Sequence, residues 1–177
     1  MATDQVVTTP ADAALAGFLQ SIELAVVDAY DKLAALLSDA TKPTVAAFQA
    51  HHKEYADALG KQAGASAVSG PNLALTFVLT ARVGGVTDEK GALELAFGVE
   101  NQVAETYAFS LTTLVSPDVI HLVATILPVV AGHAAVLGSS VGLTTAALFP
   151  NGALEGTVVG DGSDTKLGYD PASFPVG

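Results

Sequence analysis

Cysteine and tryptophan are absent from this 177-residue chain, methionine occurs once, and Lys plus Arg number 7 against 18 Asp plus Glu. Without cysteine there is no disulfide, no thiol nucleophile and no thiolate zinc site. The shortage of basic residues leaves a net charge of −11 and a pI near 4.4. That balance argues against nucleic acid or an anionic membrane surface as partner, because both select basic patches. The length suits a single domain. A mean hydropathy of +0.48 is too apolar for disorder and high for a soluble protein.

Charge is missing locally as well. From Val119 to Leu154 there is no Asp, Glu, Lys or Arg, a run long enough to span a bilayer. The same run contains His121, Pro128, His133 and several glycines, and no Lys or Arg lies between Lys90 and Lys166 to anchor it. A buried helix of a bundle therefore fits better than a membrane span. At the start, Met1 to Pro10 has neither a basic region nor an apolar core, so no signal peptide is read there. The chain is expected to be cytoplasmic or a mature exported form, with its few lysines leaning toward export or the cell envelope.

Apolar periodicity predicts four helices. The first covers about Thr9 to Leu37, with Leu15, Leu19, Ile22, Val26, Tyr30, Leu33 and Leu37 spaced by threes and fours. The second follows Thr41-Lys42-Pro43, with Pro43 in its first turn, and ends at Gly60 or Gly64. The third starts at Thr87-Asp88-Glu89-Lys90, which reads as a capping box, and continues to Leu114 or Val115. The fourth starts at Ser116-Pro117-Asp118, reaches Gly138 or Gly142, and should kink at Pro128.

Short links make each consecutive pair an antiparallel hairpin, while residues 65–86 form a long crossover between the pairs. This predicts an all-α bundle of four helices, the ferritin-like way of joining two hairpins, over residues 1–142. Residues 143–177 hold six glycines and three prolines. They read as an irregular tail whose Phe149, Tyr169 and Phe174 pack on the bundle.

The hairpins resemble each other. Glu23 and Tyr30 align with Glu100 and Tyr107 at an offset of 77, and Tyr55 and Leu59 align with His133 and Leu137 at 78. Such a repeat implies an approximate internal twofold. Glu23, Glu100, His52 and His133 all fall on apolar stripes, so two carboxylates and two imidazoles should converge in the core. A buried unpaired carboxylate costs several kcal/mol, so each needs a metal ion, a proton or a hydrogen-bond donor.

On these residues the chain resembles the ferritin-like superfamily of di-iron carboxylate bundles, and especially the small bacterial ferritin-like domain proteins. That pattern has a Glu on helices one and three and Glu-x-x-His on helices two and four. Glu23, Glu100 and His133 match it. His52 stands in a Glu position, Tyr55 in a His position and Val130 in the other Glu position. Three ligands are kept, one is exchanged and two are lost, which puts a standard ferroxidase centre in doubt.

Two readings follow from the resemblance. In the first, Glu23, Glu100, His133 and His52 hold one iron or other first-row ion for a redox role, with Tyr30, Tyr55 and Tyr107 beside them. In the second, the core holds no metal. The glutamates are then satisfied by tyrosines or histidines, and the protein is a structural or interaction module. A homo-oligomer or a protein partner would then use the tail or the apolar crossover.

Other motifs fail on context. Gly138-Ser139-Ser140-Val141-Gly142 matches a nucleophile elbow but follows a helix, not a strand. Gly160-Asp161-Gly162-Ser163-Asp164 lacks the remaining ligands of a calcium loop. His51, Glu54 and His121 lie off the stripes and read as surface residues.

Overall fold

The computed structural model describes residues 8–144, 148 and 168–176. Among these the architecture is all helical, with no strand: α1 (Pro10–Leu33), α2 (Lys42–Ala63), α3 (Leu73–Gly84), α4 (Glu89–Ser110) and α5 (Pro117–Ser140). Short 3₁₀ turns, Ala34–Leu36 and Gly64–Ser66, close α1 and α2. The α1–α2 and α4–α5 hairpins carry the largest packed interfaces, and α3 lies mainly on α1. The core is built from the inward faces of α1, α2, α4 and α5, with Leu75 and Leu79 of α3 and Tyr169 packed into it.

Helix starts follow local chemistry. The Thr9 side chain caps α1 by accepting from the Asp12 amide at 3.1 Å. Asp12 in turn accepts the amides of Val115 (3.2 Å) and Ser116 (2.5 Å), while the Thr9 amide donates to Ser116 Oγ at 3.0 Å. One cap thus clamps the start of α1 to the start of α5. Pro43 and Pro117 occupy first-turn positions, where their missing N–H groups have no helical partner to lose. Gly64 ends α2 at a φ of 54°, a left-handed conformation that suits glycine.

Three expectations from sequence need correction. The crossover contains a fifth helix, α3, whose short Leu75/Leu79 contact face gave little periodicity against an apolar background. Its cap, Asn72, accepts from the Leu75 amide at 3.0 Å. The Thr87–Lys90 segment is not a reciprocal capping box. Asp88 alone caps α4 through the Gly91 amide at 2.8 Å, and Glu89 instead accepts Ser38 Oγ at 2.7 Å from the α1–α2 loop. α4 stops at Ser110, short of Leu114, because the Thr112 and Thr113 hydroxyls turn back to the carbonyls of Phe109 and Ser110. α5 is assigned as one helix that includes Pro128, which lies on its exposed side.

Both α1, extended through its 3₁₀ turn, and α5 are long and apolar enough to cross a membrane by length and composition. In α1 that apolarity is mostly core, with 67% of the apolar window buried, whereas in α5 the figure is 33%. The outer side of α5 carries His121, Thr125, Val129 and Val136 without a charged group among them.

The end of the chain returns to the bundle. The Tyr169 amide donates to Thr106 Oγ1 at 2.7 Å, and Asn72 Nδ2 donates to the Phe174 carbonyl at 2.9 Å. The two aromatic rings meet edge to face at 5.4 Å. Phe149 and the Gly160–Asp164 segment lie outside the described residues.

Candidate metal centre

Four helices deliver the polar core. α1 contributes Glu23 and Tyr30, α2 contributes His52, α4 contributes Glu100 and Tyr107, and α5 contributes His133. Glu23, His52 and Glu100 are completely buried and His133 is 3% exposed. The four charged or basic groups expected from the stripes are therefore brought together.

His52 sits between the glutamates. Its Nδ1 lies 2.5 Å from Glu23 Oε2 and its Nε2 lies 2.9 Å from Glu100 Oε1. Both ring nitrogens face carboxylate oxygens, so both donate, which requires the imidazolium form. Burial opposes that charge, but Glu23 and Glu100 outweigh burial and push the His52 pKa up to about 10. Glu100 moves the opposite way: burial alone would raise it, yet His52 and His133 hold it down at about 2.

The tyrosines complete this arrangement crosswise. Tyr30 of α1 donates to Glu100 Oε1, and Tyr107 of α4 donates to Glu23 Oε1. Burial, followed by the carboxylate each one faces, raises both phenols well above their ordinary range, so both keep their protons. Tyr55 differs. It is half-buried and reaches the cluster through ring contacts, with its ring edge on His52 at 6.1 Å. Burial and then the Glu23 and Glu100 charges raise its pKa to about 12.

Two buried atoms stand apart from this network. Glu100 Oε2 and His133 Nδ1 have no hydrogen-bond partner, and they face each other at 3.4 Å. His52, Glu100 and His133 each place one ligand-type atom so that all three lie within 4.8 Å of one another.

Sequence reasoning misplaced His51. The residue is half-buried, and its Nδ1 lies 2.9 Å from His133 Nε2. The ring planes differ by only 15° with centres 5.1 Å apart, so the rings meet edge to edge along that hydrogen bond. Phe48 covers the face of His133 at 4.0 Å. The signal was present, because Phe48, His51 and Tyr55 also recur at spacings of three and four; it marks the side of α2 turned to α5. Glu54 and His121 are exposed, as expected. Gly138–Gly142 is the C-terminal end of α5, with Gly142 at a φ of 80°.

The ferritin-like domain family model matches residues 6–143. The chain belongs to the ferritin-like family. No curated protein and no solved structure matches it. Ferritin-like bundles of the di-iron type need a carboxylate on every helix and a histidine on two. This chain does not fit that centre. Val130, fully buried and apolar, occupies one carboxylate position. His52 fills another, and as an imidazolium it takes up negative charge that two metal ions would have required. Tyr55 replaces one histidine ligand. Among the described residues, the group that could hold a single ion is Glu100, His133 and His52.

Proposed function

We propose that this ferritin-like protein holds one divalent first-row ion, iron or a chemical neighbour, through Glu100 Oε2, His133 Nδ1 and His52 Nε2. The observation that carries the reading is the bare pair Glu100 Oε2 and His133 Nδ1 at 3.4 Å. With His133 Nδ1 unprotonated, two buried lone pairs face each other at that distance, which a cation between them relieves; a proton on Nδ1 would make the same two atoms an ion pair. Donors each about 2.1 Å from a tetrahedral ion stand roughly 3.4 Å apart. The separation is therefore that of two ligands in one coordination shell.

The chain's own residues prepare both histidines. Glu23 holds the Nδ1 proton of His52, the carboxylate–histidine arrangement that orients a ligating imidazole. Nε2 of His52 becomes a ligand once its proton has left. Both oxygens of Glu23 are occupied, by Tyr107 and by His52, so Glu23 supports the site and does not ligate. Tyr30 keeps Glu100 Oε1 engaged and leaves Oε2 free. A bound iron would supply one-electron redox chemistry, and three protein ligands leave a coordination position open.

A second reading rests on a different observation. The Glu23–His52–Glu100 chain is closed, with an imidazolium between the carboxylates, and satisfies most of the polar core without a metal. In that case the protein is a structural or interaction member of its family.

The two separate by measurement. Protein purified without chelators, stripped with EDTA and reloaded anaerobically with Fe²⁺ should retain about one ion per chain after gel filtration. His133→Ala should retain almost none. Equal, trace retention by both proteins would overturn the ion site and leave the metal-free reading.

A further inference from the structure

A neutral histidine has one bare nitrogen and one N–H, so an imidazole that binds an ion through Nδ1 must place its Nε2 proton somewhere. In His52 the nitrogen turned away from the cluster meets Glu23. In His133 the corresponding nitrogen, Nε2, meets His51 Nδ1 at 2.9 Å. We propose that His51 is a positioning residue that accepts the Nε2 proton of His133, fixing its ring and leaving Nδ1 bare toward Glu100 Oε2. The inference rests on the single-ion site argued above and assigns its second histidine a partner that no family pattern supplied.

Three observations support this role. The near-coplanar rings, at 15°, put the acceptor lone pair of His51 in line with the His133 N–H. Phe48 stacks on the His133 face at 4.0 Å, so the ring is gripped on its face and at its edge. Rotating the His133 ring by half a turn would point a carbon at His51 and break this bond. His51 itself is half-buried, so its remaining N–H stays within reach of water. Outer partners of this kind are worth about 10–100-fold in metal affinity.

The test is a Co²⁺ titration of the whole chain, followed through the visible absorption of the bound ion. Two variants separate packing from hydrogen bonding. His51→Phe keeps a ring of similar size but has no acceptor, while His51→Asn places an amide oxygen where Nδ1 lies. With melting temperatures confirming that both are folded, His51→Phe should weaken Co²⁺ binding about 10–100-fold and shift the absorption band. His51→Asn should recover most of the affinity and the original band.

If wild type binds Co²⁺ and His51→Phe binds it equally well, the role of His51 is wrong and the ion site stands. The role of His51 is equally wrong if His51→Asn is as weak as His51→Phe. If wild type binds no Co²⁺, the ion site fails and this inference fails with it.

Discussion

Tyr107 of α4 donates its hydroxyl to Glu23 of α1, and the contact is returned, since Tyr30 of α1 donates to Glu100 of α4. Each tyrosine lies seven residues after the glutamate on its own helix, yet serves the glutamate of the other. Seven residues are about two turns, so the two side chains share one face of their helix. When α1 and α4 face each other across the core, each phenol lands level with the opposite carboxylate. The crossed pair ties the two hairpins together at their polar centre, where direct α1–α4 packing is sparse.

Removing either hydroxyl should therefore weaken the fold and not merely the site. Tyr107→Phe leaves Glu23 Oε1 buried without its donor, at a cost of about 1–3 kcal/mol. Tyr30→Phe should cost somewhat less, since Glu100 Oε1 keeps His52. Urea unfolding of both variants checks the values. Loss of less than about 0.5 kcal/mol in each would show that the phenol contacts do little.

His52 carries the heaviest electrostatic role. Its imidazolium is the only cationic group hydrogen-bonded to either buried glutamate among the described residues. His52→Ala should destabilise by about 3–5 kcal/mol, because it leaves two buried carboxylates without that counter-charge. The triple variant Glu23→Gln, Glu100→Gln, His52→Leu removes all three charges and should recover a large part of that loss. Equilibrium unfolding at neutral pH compares them; a triple variant weaker than His52→Ala alone would contradict the charge argument.

A pH dependence arises away from the core, at the clamp between α1 and α5. Burial would raise the Asp12 carboxyl, but the hydrogen bonds from Ser116, Val115 and Thr9 outweigh it and hold its pKa below the ordinary aspartate value. A depressed carboxylate pKa stabilises the fold above the unfolded value, and that stabilisation is lost as pH falls through the folded value. Asp12→Asn should lower stability by about 1–2 kcal/mol at pH 7, as charge-assisted bonds become neutral ones. The gap should narrow once Asp12 is protonated, well below about pH 4. Melting curves at neutral and acid pH would show a constant gap if Asp12 had no such role.

The four long helices were legible because each combines a strong apolar stripe with a start signal, such as Pro43 or Pro117. The core position of Glu23, Glu100, His52 and His133 was legible for the same reason: a polar residue on an apolar stripe stands out. α3 was not, since an apolar segment with Leu73 and Phe77 exposed has no contrast between its faces. His51 was not legible, because it lies off the α2 stripe that carries His52. α2 packs against both α1 and α5, so it has two inward sides. The crossing of the tyrosines was beyond sequence, because spacing along one helix does not reveal which opposite helix each side chain meets.

The departure at Val130 allows the family pattern to be tested in reverse. Val130 is fully buried on α5, three residues before His133, where di-iron bundles carry a carboxylate. Val130→Glu restores Glu-x-x-His on that helix and puts a third glutamate into a core that already balances Glu23 and Glu100 with one imidazolium. Metal-free, the variant should lose several kcal/mol, the usual penalty for a buried carboxylate without a partner. A divalent ion is the partner it lacks. Anaerobic Fe²⁺ should therefore raise the melting temperature of Val130→Glu more than that of the wild type, because an ion that binds only the folded state stabilises it by mass action. Val130→Gln has similar size without the charge and should respond no more than the wild type. An equal Fe²⁺ response in the Glu and Gln variants would mean that position 130 no longer faces the site, and that the loss of its carboxylate is not what limits this core to a single ion.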